Sequence, residues 1–205
     1  PGLVTIGGTL AFCHFWLMPR LPGFRGAHPE IRLRLVAEDS ATDLRRDRLD
    51  VAVRYGKPPF DDALLIASRP CTVFPVCAPA LLARAGGCAR PEELAHMPLI
   101  ASDWIDPGWL TWRAFARLAG LGPAVVRAAD LSRLRVNHYA DTIHAAVAGE
   151  GVALGWRLLL ADMLGDGRLV PAGGVSVTPA EGYHLLIPAG RPVSSATQVF
   201  LDWIA

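Results

Sequence analysis

Lysine is nearly missing from this chain. Lys57 is the only one, so arginine supplies the rest of the 20 basic residues. Two readings stand: a genomic codon bias, which abundant alanine, glycine and proline accompany, or arginine chosen for its planar fork on anions. An excess of one charge sign is missing too. The net charge is +1, which argues against the basic stripe that a free-standing DNA-binding module lays on phosphates. Cysteine is scarce: Cys13, Cys71, Cys77 and Cys88 form no C-x-x-C pair and show no Cys/His spacing of a zinc site. They read as buried free thiols of a reducing cytoplasm, and no metal or cofactor is expected. No apolar run reaches the roughly 18 residues of a membrane span, and no charged segment followed by an apolar one marks an export signal at the start. The chain is therefore expected to be cytoplasmic, with no membrane partner. The signatures G-x-S-x-G, Walker A, H-E-x-x-H and G-x-G-x-x-G are absent. Asp141 and His144 share a helix face at i, i+3 spacing, but without a nucleophile they support no catalysis, so no enzyme is expected.

What is present is apolar material in alternating periods. The 205 residues are 52% apolar, enough for one large domain or two lobes of about 100 residues each. Leu3 to Ile6 reads as a strand closed by Gly7-Gly8, and Thr9 stands where a helix cap belongs, before the apolar stretch Leu10 to Leu17. Pro19 and Pro22 are expected to break or restart that helix. Ile31 to Leu35 alternates strictly, with Arg32 and Arg34 on the wet face, as an edge strand does. A short helix capped by Ser40 or Thr42 and carrying Arg45, Arg46, Asp47 and Arg48 should follow, then a strand from Asp50 to Arg54. Later strands are expected at Thr72–Cys77, Leu99-Ile100, Val125-Val126, Leu134–Val136, Val152–Leu154 and Tyr183–Ile187. Later helices are expected at Ala80–Ala85, Glu92–Ala95, Trp109–Leu118, Tyr139–Ala148, Leu158–Leu164 and Thr197–Ile204. This alternation implies an α/β fold with parallel pairing and a sheet covered on both faces. Two lobes would be joined by short crossings near Cys71–Pro75 and Gly173–Val177. The first lobe would then hold residues 1–72 plus 176–205, and the second residues 73–175.

At this point the residues resemble a family. Ala11 to Leu35, an apolar helix followed by a Pro-rich stretch, His-Pro-Glu-Ile and an alternating strand, is similar to the start of LysR-type effector-binding domains. Asp50 to Gly56 (DVAVRYG), Pro75 to Leu82 (PVCAPALL), Gly149 to Leu154 (GEGVAL) and Leu185 to Pro188 (LLIP) follow in the family's order. Arg54-Tyr55-Gly56, Val136 to Tyr139 and Trp156 together resemble the branch of glycine-cleavage and β-lactamase regulators. The resemblance implies two Rossmann-like lobes around a cleft, as in type 2 periplasmic binding proteins. It implies a small-molecule effector in that cleft, and a homodimer through this domain that becomes a tetramer in the full-length protein. It also implies DNA contact only through a winged helix-turn-helix that precedes this chain, which opens on Pro1 and reads as a cut piece. The first helix and the edge strand, with Phe24 and Leu33, are the expected dimer face. A transporter's periplasmic solute-binding protein is the rival reading.

Ligands of open α/β sheets sit beyond the carboxyl ends of strands, which selects the candidate residues. Thr9, Leu10 and Ala11 begin the first helix, where free amides and the helix dipole favour a carboxylate; Thr9 as a mere cap is the alternative. Asp39 and Ser40 follow the second strand and suit an amino-acid-like ligand, or else form a capping turn. Ser102, Asp103 and Trp104 follow a second-lobe strand, Trp104 as wall or core. Asn137 and His138 match the family position facing the first helix turn, with an exposed loop histidine as the plainer reading. Tyr183, by resemblance to the β-lactamase branch, is a ligand contact or a hinge-packing side chain.

Overall fold

A computed structural model describes residues 2–39, 44, 47–104 and 108–205. The expected caps Ser40 and Thr42, and Arg45 and Arg46 of the short helix, lie outside the described residues. In chain order the strands are β1 Leu3–Gly8, β2 Arg32–Ala37, β3 Val51–Gly56, β4 Ala63–Pro70, β5 Val73–Cys77, β6 Ile100–Ser102, β7 Leu134–Val136, β8 Ala153–Trp156, β9 Val170–Pro171 and β10 Gly182–Pro188. The α-helices are α1 Met18–Ala27, α2 Pro79–Arg84, α3 Trp112–Leu118, α4 Pro123–Asp130, α5 Tyr139–Val147, α6 Arg157–Gly165 and α7 Ser195–Ile204. Two compact units result, one of Pro1–Pro70 with Ala180–Ala205 and one of Cys71–Pro179.

The first unit is built on one sheet in the order β2-β1-β3-β10-β4. The first three strands are parallel, and β10 runs antiparallel to both β3 and β4. The expected parallel pairing holds for β1, β2 and β3 but not for β10, which enters after the excursion through the second unit and runs the other way. Successive side chains of β10 alternate between faces. Tyr183 packs against Tyr55 and Phe12, on the side where Trp16, Phe24, Phe200 and Trp203 form an aromatic seam. Leu186 joins Leu44, Leu49 and Ala52 on the other side, with Phe60 against them. Residues 57–62 return along β10 without a helix, from its Gly182 end to its Pro188 end. Asp62 there meets Arg54 of β3 in a two-pronged ion pair of 2.7 Å on each arm.

Two local expectations fail here. β4 was not foreseen, because Leu64, Leu65 and Ile66 are a flat apolar run at an edge, and a register shift opposite Leu185/Leu186 erases any alternation. The prolines do not break the first helix. Residues 10–27 wind continuously, with a π-helical stretch Phe12–Leu17 leading into α1. Pro19 is the second residue of α1 but lies inside this continuous run, so its missing N–H removes one helical hydrogen bond to the preceding π-helical stretch. Arg20 Nη1 donates to the Trp16 carbonyl at 3.0 Å, bracing the π-helical stretch against α1.

The second unit holds two strand groups, β8-β5-β9 and β6-β7. One parallel bridge, Leu99 to Val152, joins them. Val152 N–H donates to Pro98 O at 2.8 Å and Ile100 N–H to Val152 O at 2.9 Å. The resulting run β7-β6-β8-β5-β9 repeats the strand plan of the first unit, again with the newly entered strand, β5, antiparallel. Val125-Val126, read as a strand, lies inside α4; Pro123 at its first turn starts a helix that two β-branched residues do not prevent. The helix expected from Trp109 begins at Trp112, capped by Thr111 Oγ1 accepting from Ala114 N–H at 3.3 Å. All four cysteines are buried free thiols, and burial pushes Cys13 and Cys77 up to about 11.

Candidate functional site

Apart from Tyr183, which lies within the antiparallel β10, the described candidate residues of each unit gather at the carboxyl ends of parallel strands. In the first unit Gly8 lies opposite Ala37, and Glu38 N–H donates to Gly8 O at 3.1 Å. Thr9-Leu10-Ala11 and Asp39 therefore leave the sheet side by side. A Cβ at Gly8 would stand 3.2 Å from Cys13 Sγ and 3.3 Å from Phe12, so any side chain there would press on the start of the helix. Thr9 Oγ1 accepts from Phe12 N–H at 3.1 Å, so the threonine is a helix cap. Leu10 is exposed and Ala11 buried. The Phe12 ring, one turn on, stands 6.0 Å from that of Tyr183. Tyr183 itself is buried in mid-sheet, paired with Tyr55 on one side and Arg69 on the other. Ser40 lies outside the described residues.

In the second unit β6 and β7 are parallel, and Asp103 N–H continues the ladder onto Val136 O at 2.9 Å. Ser102, Asp103 and Trp104 thus end beside Asn137 and His138. Arg135 grips Asp103 through Nε at 3.1 Å and Nη2 at 2.6 Å. Those bonds hold the Asp103 carboxyl below the usual carboxylate range and commit it to Arg135. His138 is the residue before α5, and its carbonyl accepts from Thr142 N–H at 3.1 Å and Oγ1 at 3.0 Å. Asn137 is exposed.

Sequence reasoning missed what stands behind Trp104. Its ring lies 5.9 Å from Trp109, 6.1 Å from Tyr139 and 6.4 Å from Trp156. Those three also touch one another, at 4.8–5.1 Å between centroids. Tyr139 is the first residue of α5 and Trp156 the last of β8, so four aromatics meet at one end of this unit. No local pattern joins them, since Trp104 and Trp109 fall between β6 and α3 while Tyr139 and Trp156 belong to α5 and β8. Among the described residues no group of three or more His, Cys, Asp or Glu is placed to hold a metal. No described helix is long and apolar enough to cross a membrane.

A sequence profile of the LysR substrate-binding domain matches residues 1–205. The chain belongs to that family. It is 32% identical to the HTH-type transcriptional activator AmpR of Rhodobacter capsulatus over 207 residues, covering 98% of this chain and 64% of the relative. It is 28% identical to the glycine cleavage system transcriptional activator of Escherichia coli K12, covering 99% of this chain. The chain thus spans 64% of the length of these LysR-type relatives. Among solved structures, the effector domain of the transcriptional regulator AmpR of Pseudomonas aeruginosa superposes with a TM-score of 0.76 at 26% identity, covering 98% of this chain and 92% of that one. The regulatory domain of CrgA from Neisseria meningitidis reaches 0.79 at 20% identity, covering 98% and 96%, a likeness of fold alone. The fold is the type 2 periplasmic-binding-protein-like fold of LysR effector domains.

Proposed function

We propose that this chain is the ligand-sensing and dimerisation module of a LysR-type transcription regulator working in the cytoplasm. Its effector is small and carboxylate- or amino-acid-like. The regulator meets DNA through a winged helix-turn-helix outside these residues and assembles as a tetramer through dimers of this module. The chain performs no chemistry on the ligand. The observation carrying this reading is the family match along the whole chain, joined to candidate residues at strand carboxyl ends in each unit. The rival reading, a transporter's binding protein, finds no support in relatives named as transcriptional activators.

Contacts are assigned to Thr9, Leu10, Ala11, Asp39, Ser40 and Tyr183 in the first lobe. Ser102, Asp103, Trp104, Asn137 and His138 serve in the second. The lobes are taken as residues 1–72 with 176–205, and 73–175. A ligand that prefers one arrangement of the lobes raises its population by that difference in affinity. The test is a thermal-shift screen against amino acids, aliphatic carboxylates and aromatic acids. A binder at 100-fold its Kd adds about 2.7 kcal/mol. A hit lost in Thr9→Val, measured against that variant's own unliganded Tm, is the expected outcome. No shift from any compound in a broad metabolite panel would sink the sensor reading.

A further inference from the structure

We propose that the effector presents a planar aromatic ring to the indole of Trp104. This rests on the effector-binding reading and narrows its ligand class to aryl carboxylates. Trp104 follows β6 where the parallel pair ends, and it is partly exposed, unlike its three aromatic neighbours. Trp109, Tyr139 and Trp156 are buried and fill the space behind it. Its one donor, Nε1–H, is spent on the Leu110 carbonyl at 2.9 Å. That bond and the rings behind hold the indole in place. With the N–H used, the indole keeps only apolar π surface for a ligand, and π surface is best met by another ring in offset or tilted contact. A small aliphatic amino acid gains little from such a wall.

The polar neighbours fit the same class. The Asp103–Arg135 pair beside Trp104 is closed on itself by two hydrogen bonds, so it presents a balanced pair instead of a bare charge. Asn137, exposed where β7 ends, offers an amide that both donates and accepts. A ring on Trp104 with a polar substituent toward Asn137 uses both groups.

The probes are benzoate and indole-3-acetate, with acetate, glycine and glycine betaine as non-aromatic comparisons, read by calorimetric titration of the 205-residue chain. The aryl acids are expected to bind at least tenfold tighter than the others. Trp104→Leu should weaken them tenfold or more, while Trp104→Phe restores most of the affinity. On the unaltered chain, ring protons of bound benzoate should shift upfield in NMR from the indole ring current, a readout that needs no variant to fold. Aryl binding unchanged in Trp104→Leu, or without the ring-current shift, overturns the inference. Binding of acetate, glycine or betaine in preference to the aryl acids overturns it too, yet leaves the sensor reading standing. Silence from all five probes overturns it as well, and the broad metabolite screen alone then decides the sensor reading.

Discussion

Arg54 and Asp62 show what single residues do for the fold. They clamp the helix-free return of residues 57–62 across β10, with both side chains mostly buried. Hydrogen bonds from Arg54 hold the Asp62 carboxyl down to about 2, against an opposing push from burial. A carboxylate lowered in the folded state stabilises fully above its unfolded pKa, near 4, and loses that contribution as pH falls through the folded value. Asp62→Asn should therefore cost about 2 kcal/mol at pH 7 and much less at pH 2, measured by urea unfolding at both. An equal cost at the two pH values would contradict the ion-pair account. At this scale sequence reading was uneven. Thr9 was legible as a cap because a hydroxyl three residues ahead of an N–H is a local relation. The commitment of Asp103 to Arg135 was not, since those residues are far apart in the chain and meet only when two strands pair. The aromatics around Trp104 were hidden for the same reason.

At the level of elements, the seam between Leu99 and Val152 decides whether the second unit has one sheet or two. Gly151 allows it: a Cβ there would lie 2.7 Å from Pro98 O and 2.8 Å from Ile100 Cγ1, the atoms beside both bridging hydrogen bonds. Gly151→Ala should force the seam apart and cost about 1–3 kcal/mol, as overpacking does, seen as a Tm several degrees lower. Gly26→Ala in α1, with nothing within 4 Å of the added carbon, is the control and should be neutral or better. Element types with a strong local period were readable: β2 was placed as an edge strand from its alternation, and it is one. Strand direction was not readable. Whether β5 and β10 run parallel depends on where the chain re-enters each sheet, which no local pattern records.

For the whole molecule, assembly is the property most open to test. Met18, Leu21, Ile31 and Leu33 line an open groove of about 760 Å³ between α1 and the edge strand β2, with Arg25 and Arg32 beside them. A second copy is the occupant proposed for it. Phe24, expected on this face, is instead fully buried against Phe200 and Trp203, and a charge there would unfold the unit. The informative changes are Met18→Glu and Leu33→Glu, which should shift the chain from dimer to monomer by light scattering while circular dichroism shows the fold retained and Tm falls only by the lost association. A mass unaffected by both would place any dimer face elsewhere.

The second unit is one unbroken stretch, Cys71–Pro179, whereas the first is closed only by Ala180–Ala205. Its missing strand, β10, is buried along its whole length and sits between β3 and β4, not at a margin. A ribosome, reading from the amino end, therefore delivers a finished second unit while the first still has a gap at its centre. During that interval β3 and β4 have no partner between them, and only residues 180–205 close the unit that the strands before residue 70 began.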